Sequence, residues 1–130
     1  MPTKTMVSSA ALLACIALAP ATVLADGPEA IAMAARHAGI ASNTADIGMV
    51  RTHLHHVLNC LVGPDGEGFD QAAGNPCNAT GGAIPQTADA TAKEMLTKQA
   101  ADARMAIANA DLAAAQAAAL AIQKALAPPQ

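Results

Sequence analysis

The stretch Arg51-Thr52-His53-Leu54-His55-His56-Val57-Leu58-Asn59-Cys60-Leu61 gathers three of the chain's four histidines and one of its three cysteines. Around it lies an alanine-dominated chain with no Trp, no Tyr and one Phe, Phe69. Imidazole and sulfur concentrated on one short segment suit metal ligation, because these donors favour copper or zinc over magnesium or calcium. At about 100° per residue, Met49, His53, His56 and Cys60 share one face of a helix, and His55 lies apart. The apolar residues Ile47, Val50, Leu54, Val57 or Leu58, and Leu61 form a separate stripe at helical spacing.

A preceding helix folded back about residue 43 would run antiparallel to this one. Glu29, Met33 and His37 form an i, i+4, i+8 row on it and would lie level with His56, His53 and Met49 respectively. The candidate metal ligands are therefore His53 and His56, with His37, Met49, Met33 and Glu29 as helpers. A plainer reading stands beside this one. The histidines would face water or hydrogen-bond a loop backbone, and the methionines would only pack.

Other chemistries find less support. Asp65, Glu67 and Asp70 lie in a Gly-rich stretch, but their spacing is not that of a calcium-binding EF-hand, and Pro76 stands where its terminal Glu belongs. They read as solvated turn residues. The sequence carries no zinc-protease helix motif, nucleophile elbow or phosphate loop, so neither an enzyme nor a nucleotide-binding protein is expected. A Cys-x-x-Cys-His haem attachment is also absent. A noncovalent haem in an electron-transfer bundle is the remote alternative, with too few aromatics to wall it. Without a basic patch or a stacking platform, nucleic-acid binding is disfavoured.

The elements that would position these residues follow from helix signals. Asp26-Gly27-Pro28-Glu29 starts a helix, with Pro28 in its first turn and Glu29 favoured there by the dipole. That helix runs to about residue 41. Asn43 reads as the N-cap of a second helix, with Asp46 imitating a capping box, and this helix runs to about residue 62. Residues 63–86 hold Gly63, Pro64, Gly66, Gly68, Gly74, Pro76, Gly81, Gly82 and Pro85 and read as a long loop anchored by Phe69 and Ile84. A helical run then ends at Pro128-Pro129. As one helix it would be about 60 Å long, too long for its partners. Asn109 divides it into helices over about 88–108 and 110–126.

An internal repeat supports that division. Ala35-Arg36-His37-Ala38 matches Ala103-Arg104-Met105-Ala106, and Asn43-Thr44-Ala45-Asp46-Ile47 matches Asn109-Ala110-Asp111-Leu112, one residue shorter. From there Ile47, Val50, Leu54, Val57 and Leu61 coincide with Leu112, Ala115, Ala119, Ile122 and Leu126. Positions matching His53, His56 and Cys60 hold alanine. The expected fold is all-α: a small four-helix bundle of two helical hairpins, 28–62 and 88–126, with three helices, the last one long, as the alternative.

The N-terminus has the grammar of a signal peptide. Lys4 precedes an apolar run over residues 6–19, Pro20 breaks it, and Val23-Leu24-Ala25 permits cleavage before Asp26. This predicts a periplasmic or secreted protein, a single helical domain over 26–130 with six Lys/Arg against ten Asp/Glu, formal charge −4. A lipid anchor through Cys15 is the alternative. Cys60 and Cys77 remain as an even pair in an oxidising compartment. A bridge across the intervening 16 residues would stabilise by roughly 3 kcal/mol. Two thiolate ligands on a metal are the competing reading. A membrane span is not expected, and the alternative to a metal-binding or metal-buffering protein is a periplasmic structural or interaction module, its partner unknown, whose His-Cys helix only anchors the loop.

The run His53-Leu54-His55-His56-Val57-Leu58-Asn59-Cys60-Leu61-Val62-Gly63-Pro64, followed by Phe69-Asp70 and Gly74-Asn75-Pro76-Cys77, resembles a group of small exported bacterial proteins of unassigned activity. The resemblance covers about residues 50–84 and implies export and a Cys60–Cys77 pairing. More loosely, the chain is similar to small periplasmic helical proteins that hold metal through histidines, with only four histidines of its own.

Overall fold

A computed structural model describes residues 27–128; the signal-peptide and Cys15 readings lie outside the described residues. The described chain is all-helical: α1 Gly27–Ser42, α2 Ile47–Val62, a single-turn α3 Ala83–Gln86, α4 Ala90–Ala108 and α5 Leu112–Leu126. The C-terminal run is two helices, and the alternative with one long helix does not hold. Among the described residues, no helix is long and apolar enough to cross a membrane.

Two hairpins, α1–α2 and α4–α5, pack face to face. Each long helix has two lateral neighbours: α1 lies on α2 and α5, and α4 on α2 and α5. α2 and α5 also meet across the bundle. The predicted stripes form the core. Val50, Leu54, Val57, Leu58 and Leu61 are buried on α2, and Ala115, Ala119, Ile122 and Leu126 on α5. Opposite them α1 offers only a ridge of Ala30, Ala34, Ala38 and Ala41, all fully buried. Alanine presents little volume, so the backbones approach closely, and α2 supplies most of the bulk. Gly39 marks one close approach: a Cβ there would lie 2.6 Å from Nε2 of Gln123 on α5.

The two hairpins pin each other at one end. Arg51 Nη2 donates to the carbonyl of Asn109 at 3.0 Å, and Gln116 Nε2 donates to the carbonyl of Thr44 at 2.8 Å. Arg51 and Gln116 hold matching places after their respective turns, so the pairing is reciprocal, as an internal repeat folded about an approximate two-fold axis requires.

The helix caps differ from expectation. Asp46, not Asn43, caps α2, accepting from the Met49 N–H at 2.8 Å. Asn43 instead closes α1, its Nδ2 donating to the Gly39 carbonyl at 2.8 Å beside the Ser42 hydroxyl on the same oxygen. Asn109 ends α4 through its backbone N–H on the Ala106 carbonyl, its Oδ1 accepting from the Asp111 N–H, and Asp111 caps α5 through the Ala114 N–H. A short polar side chain can satisfy the orphan carbonyls behind it as well as the orphan amides ahead. Here each Asn ends a helix and the Asp after it starts the next.

Residues 63–86 form the expected connection, except that α3 adds one helical turn inside it. Cys60 and Cys77 are disulfide-bonded, with Cα atoms 5.2 Å apart. Ile84 packs against the core, while Phe69 is half-buried. The loop returns across the end of α2 where Gly63, at φ 74°, meets Gly82. A Cβ on Gly82 would lie 2.5 Å from the Gly63 nitrogen. That contact is with backbone, which cannot move aside, so both positions need glycine.

Candidate metal centre

α1 and α2 bring three histidines to one point. The connection from Ser42 to Ile47 shifts the register by about one turn from the one expected for a fold at residue 43. His37 therefore faces His53 and His56 rather than Met49. The Nδ1 atoms of His37 and His53 are 3.0 Å apart, and those of His37 and His56 are 3.3 Å apart. Ring centroids lie 4.7–5.5 Å from one another, with His37 and His53 stacked and His56 edge-on to both. One ligand atom from each ring falls within 4.8 Å of the other two, and His37, His53 and His56 are the His/Cys/Asp/Glu group among the described residues that could hold a metal ion. All three side chains are half-buried.

Protons cannot satisfy this arrangement fully. His56 Nε2 lies 2.8 Å from the carbonyl oxygen of Ala73. A carbonyl only accepts, so Nε2 carries the proton, and neutral His56 presents a bare Nδ1 to the cluster. Three Nδ1 atoms then converge, where one proton on His37 is at best divided between the other two nitrogens. A cation at the centre would satisfy all three. Metal–imidazole bonds of about 2.0–2.1 Å place adjacent ligand nitrogens about 2.9–3.4 Å apart, depending on coordination number. The two observed separations lie in that range.

Electrostatics favour the neutral form of His37 and His53. Burial, then His56, His53 and the Arg36 guanidinium, push the His37 pKa down to about 4. His53 is lowered by burial and then by His56. Unprotonated imidazole is the form that binds metal.

The loop is built around His56. Asn59, one turn on and fully buried, donates from Nδ2 to the carbonyls of Asp70 and Gly74, at 2.8 and 2.7 Å. Its Oδ1 accepts from the Asp70 N–H at 2.9 Å. The Cys60–Cys77 bridge fastens the far side. Gly74, at φ 92°, places its α-carbon against the imidazole: a Cβ there would sit 3.4 Å from His56 Nε2. The Ala73 carbonyl is thereby fixed on His56, a common arrangement for the second nitrogen of a metal-ligating histidine.

Sequence reasoning did not single out Asn59 or Ala73. Asn59 carried a signal: an amide side chain flanked by Leu58, Cys60 and Leu61 in the last turn of an apolar stripe must be buried and must therefore find partners. Ala73 carried none, because only its backbone acts.

The other candidate ligands stand elsewhere. Met49 is on the first turn of α2 and 47% exposed. Met33 and Glu29 line a cavity of about 340 Å³ with Ala32, Arg36, Pro76, Cys77 and Thr80. Glu29 is not part of the ligand group, and the register shift accounts for this, because it moves Glu29 along α1 away from His56. The fourth histidine, His55, faces the loop from another side, with Nδ1 3.8 Å from the Asp70 carboxylate.

Comparison with family models, with curated proteins and with solved structures finds no match to this chain.

Proposed function

We propose that this protein is a non-enzymatic, exported metal-binding or metal-buffering protein that holds a copper or zinc ion through Nδ1 of His37, His53 and His56. The observation that carries this reading is the convergence of three Nδ1 atoms, one of them left bare by a hydrogen bond from its own ring to the Ala73 carbonyl. An all-imidazole donor set suits copper and zinc and gives little to magnesium or calcium, which want oxygen. The disulfide is consistent with an oxidising compartment, as the signal-peptide grammar of residues 1–25 also implies.

Calorimetric titration of the oxidised protein with zinc and with copper tests the proposal. One ion should bind with a dissociation constant below about 1 μM, and His53→Ala/His56→Ala should abolish the signal while circular dichroism stays helical. Weak binding, equal in both proteins, would remove the metal reading.

One observation favours a second role for the same residue. Because His56 bonds the loop backbone, it also anchors residues 70–77. If anchoring were its whole purpose, His56→Ala would loosen the loop, and His37→Ala would change neither the loop nor any metal response.

A further inference from the structure

We infer that the metal held by this tripod keeps a coordination position for a small exogenous anion, so that the bound species is a metal–anion pair rather than a closed structural site. The inference rests on the metal reading above and adds what completes the coordination.

Coordination number comes first. The group that can ligate contains three His/Cys/Asp/Glu residues, one nitrogen each. Zinc and copper(II) take four or more ligands, and zinc sites with three protein ligands leave the remaining position to water or an incoming molecule. Cys60, the thiol on the same helix as His53 and His56, is committed to the disulfide.

Charge comes second. Three neutral imidazoles leave a divalent ion with its full double positive charge in a half-buried setting. Among the described residues, carboxylates do not join the ligand group to offset it. Asp70 lies on His55, and Glu29 lines the neighbouring cavity beside Arg36 without joining the ligand group. Arg36 is adjacent to His37 in sequence and adds positive charge on that side. An uncompensated charge away from bulk water is costly, and an anionic ligand removes the cost more fully than water does.

Access comes third. His37, His53 and His56 are half-buried rather than sealed. The cavity of about 340 Å³ lined by Arg36, Met33, Pro76 and Cys77 begins one helical turn from His37 on α1 and a few residues past Ala73 in the loop. The three histidines do not themselves line it, so it is a neighbouring reservoir on the Arg36 side and the rings' exposed edges are the route to the metal. Met33 is the side chain that could compete, since it lies one turn before His37 and carries a soft sulfur.

Azide on the copper(II)-loaded protein is the probe. Copper stoichiometry is measured first, so that failure to bind metal, which would overturn the metal reading and this inference with it, is separated from failure to bind anion. With one copper bound, azide should displace water, produce an azide-to-copper charge-transfer band and saturate at one equivalent. Arg36→Gln should weaken azide binding several-fold and leave copper stoichiometry unchanged. Met33→Leu should bind azide as the parent does. A copper-loaded protein that shows no charge-transfer band at high azide concentration overturns the inference. So does azide binding that appears only in Met33→Leu, because the thioether would then hold the position.

Discussion

The two hairpins share a scaffold and differ in what they carry. The buried stripes of α2 and α5 coincide position by position, and each hairpin sends one polar side chain, Arg51 or Gln116, to the other's turn. Where the first hairpin has His37, His53 and His56, the repeat places Met105, Ala118 and Ala121 in the second. Those three residues also come together in space, lining a cavity of about 310 Å³ with Asp102, Ala106 and Asn109. The same backbone geometry thus yields a polar tripod on one side and an apolar hollow on the other. The chemistry is not a consequence of the bundle. It sits on a flank that the core stripe leaves free, and the loop between α2 and α4 packs against it.

The largest effect should come from breaking what only the first hairpin has, the clamped loop. Asn59→Ala removes three buried hydrogen bonds and strands the amide of Asp70 and two carbonyls. Urea denaturation should show a loss of about 2–4 kcal/mol. Gln123 holds the place nearest in kind on α5 but is only half-buried, and Gln123→Ala should cost far less.

Acid should separate the hairpins next, because the second has no histidine. The folded pKa of His37 is about 4, below its ordinary value of 6.5. Between those values the unfolded chain binds more protons than the folded one, so metal-free stability falls as pH drops from about 6.5 towards 4. Above that window His37 contributes no pH dependence. Replacing it with Met, the residue at the matching position, should flatten the acid limb of a stability–pH profile. An unchanged limb would place the titration elsewhere.

A smaller effect sharpens the comparison from the other side. Met105→His/Ala118→His/Ala121→His rebuilds the tripod in the second hairpin without a loop carbonyl to fix a tautomer. Zinc titration should then report a second ion, bound more weakly than the first by at least the 10–100-fold that a lost outer partner typically costs. A second site of equal affinity would show that Ala73 is dispensable.

Much of this was legible in the sequence because alanine and leucine at helical spacing leave few alternatives. The stripes of α2 and α5 and the break near Asn109 follow from period alone. The face shared by His53 and His56 was legible for the same reason. Their partner was harder to place. His37 could be assigned to the seam, but its level depended on four turn residues, of which Asn43 and Thr44 bond backwards to α1 and Asp46 forwards to α2, and a one-turn error there moves Met49 in and His53 out. The single turn α3, lying between Gly82 and Thr87 with Pro85 inside it, has no period to read. The loop's path is set by one buried amide and one backbone carbonyl, and the carbonyl has no letter in the sequence.

The most direct test of the central claim is a zinc titration followed through the ring nitrogens of the four histidines by nitrogen-15 NMR. Nδ1 of His37, His53 and His56 should shift together and saturate at one equivalent, while His56 Nε2 keeps its proton and His55 stays where it was. Shifts at Nε2 of His56, equal movement of His55, or no saturable change would contradict a metal held by three converging Nδ1 atoms.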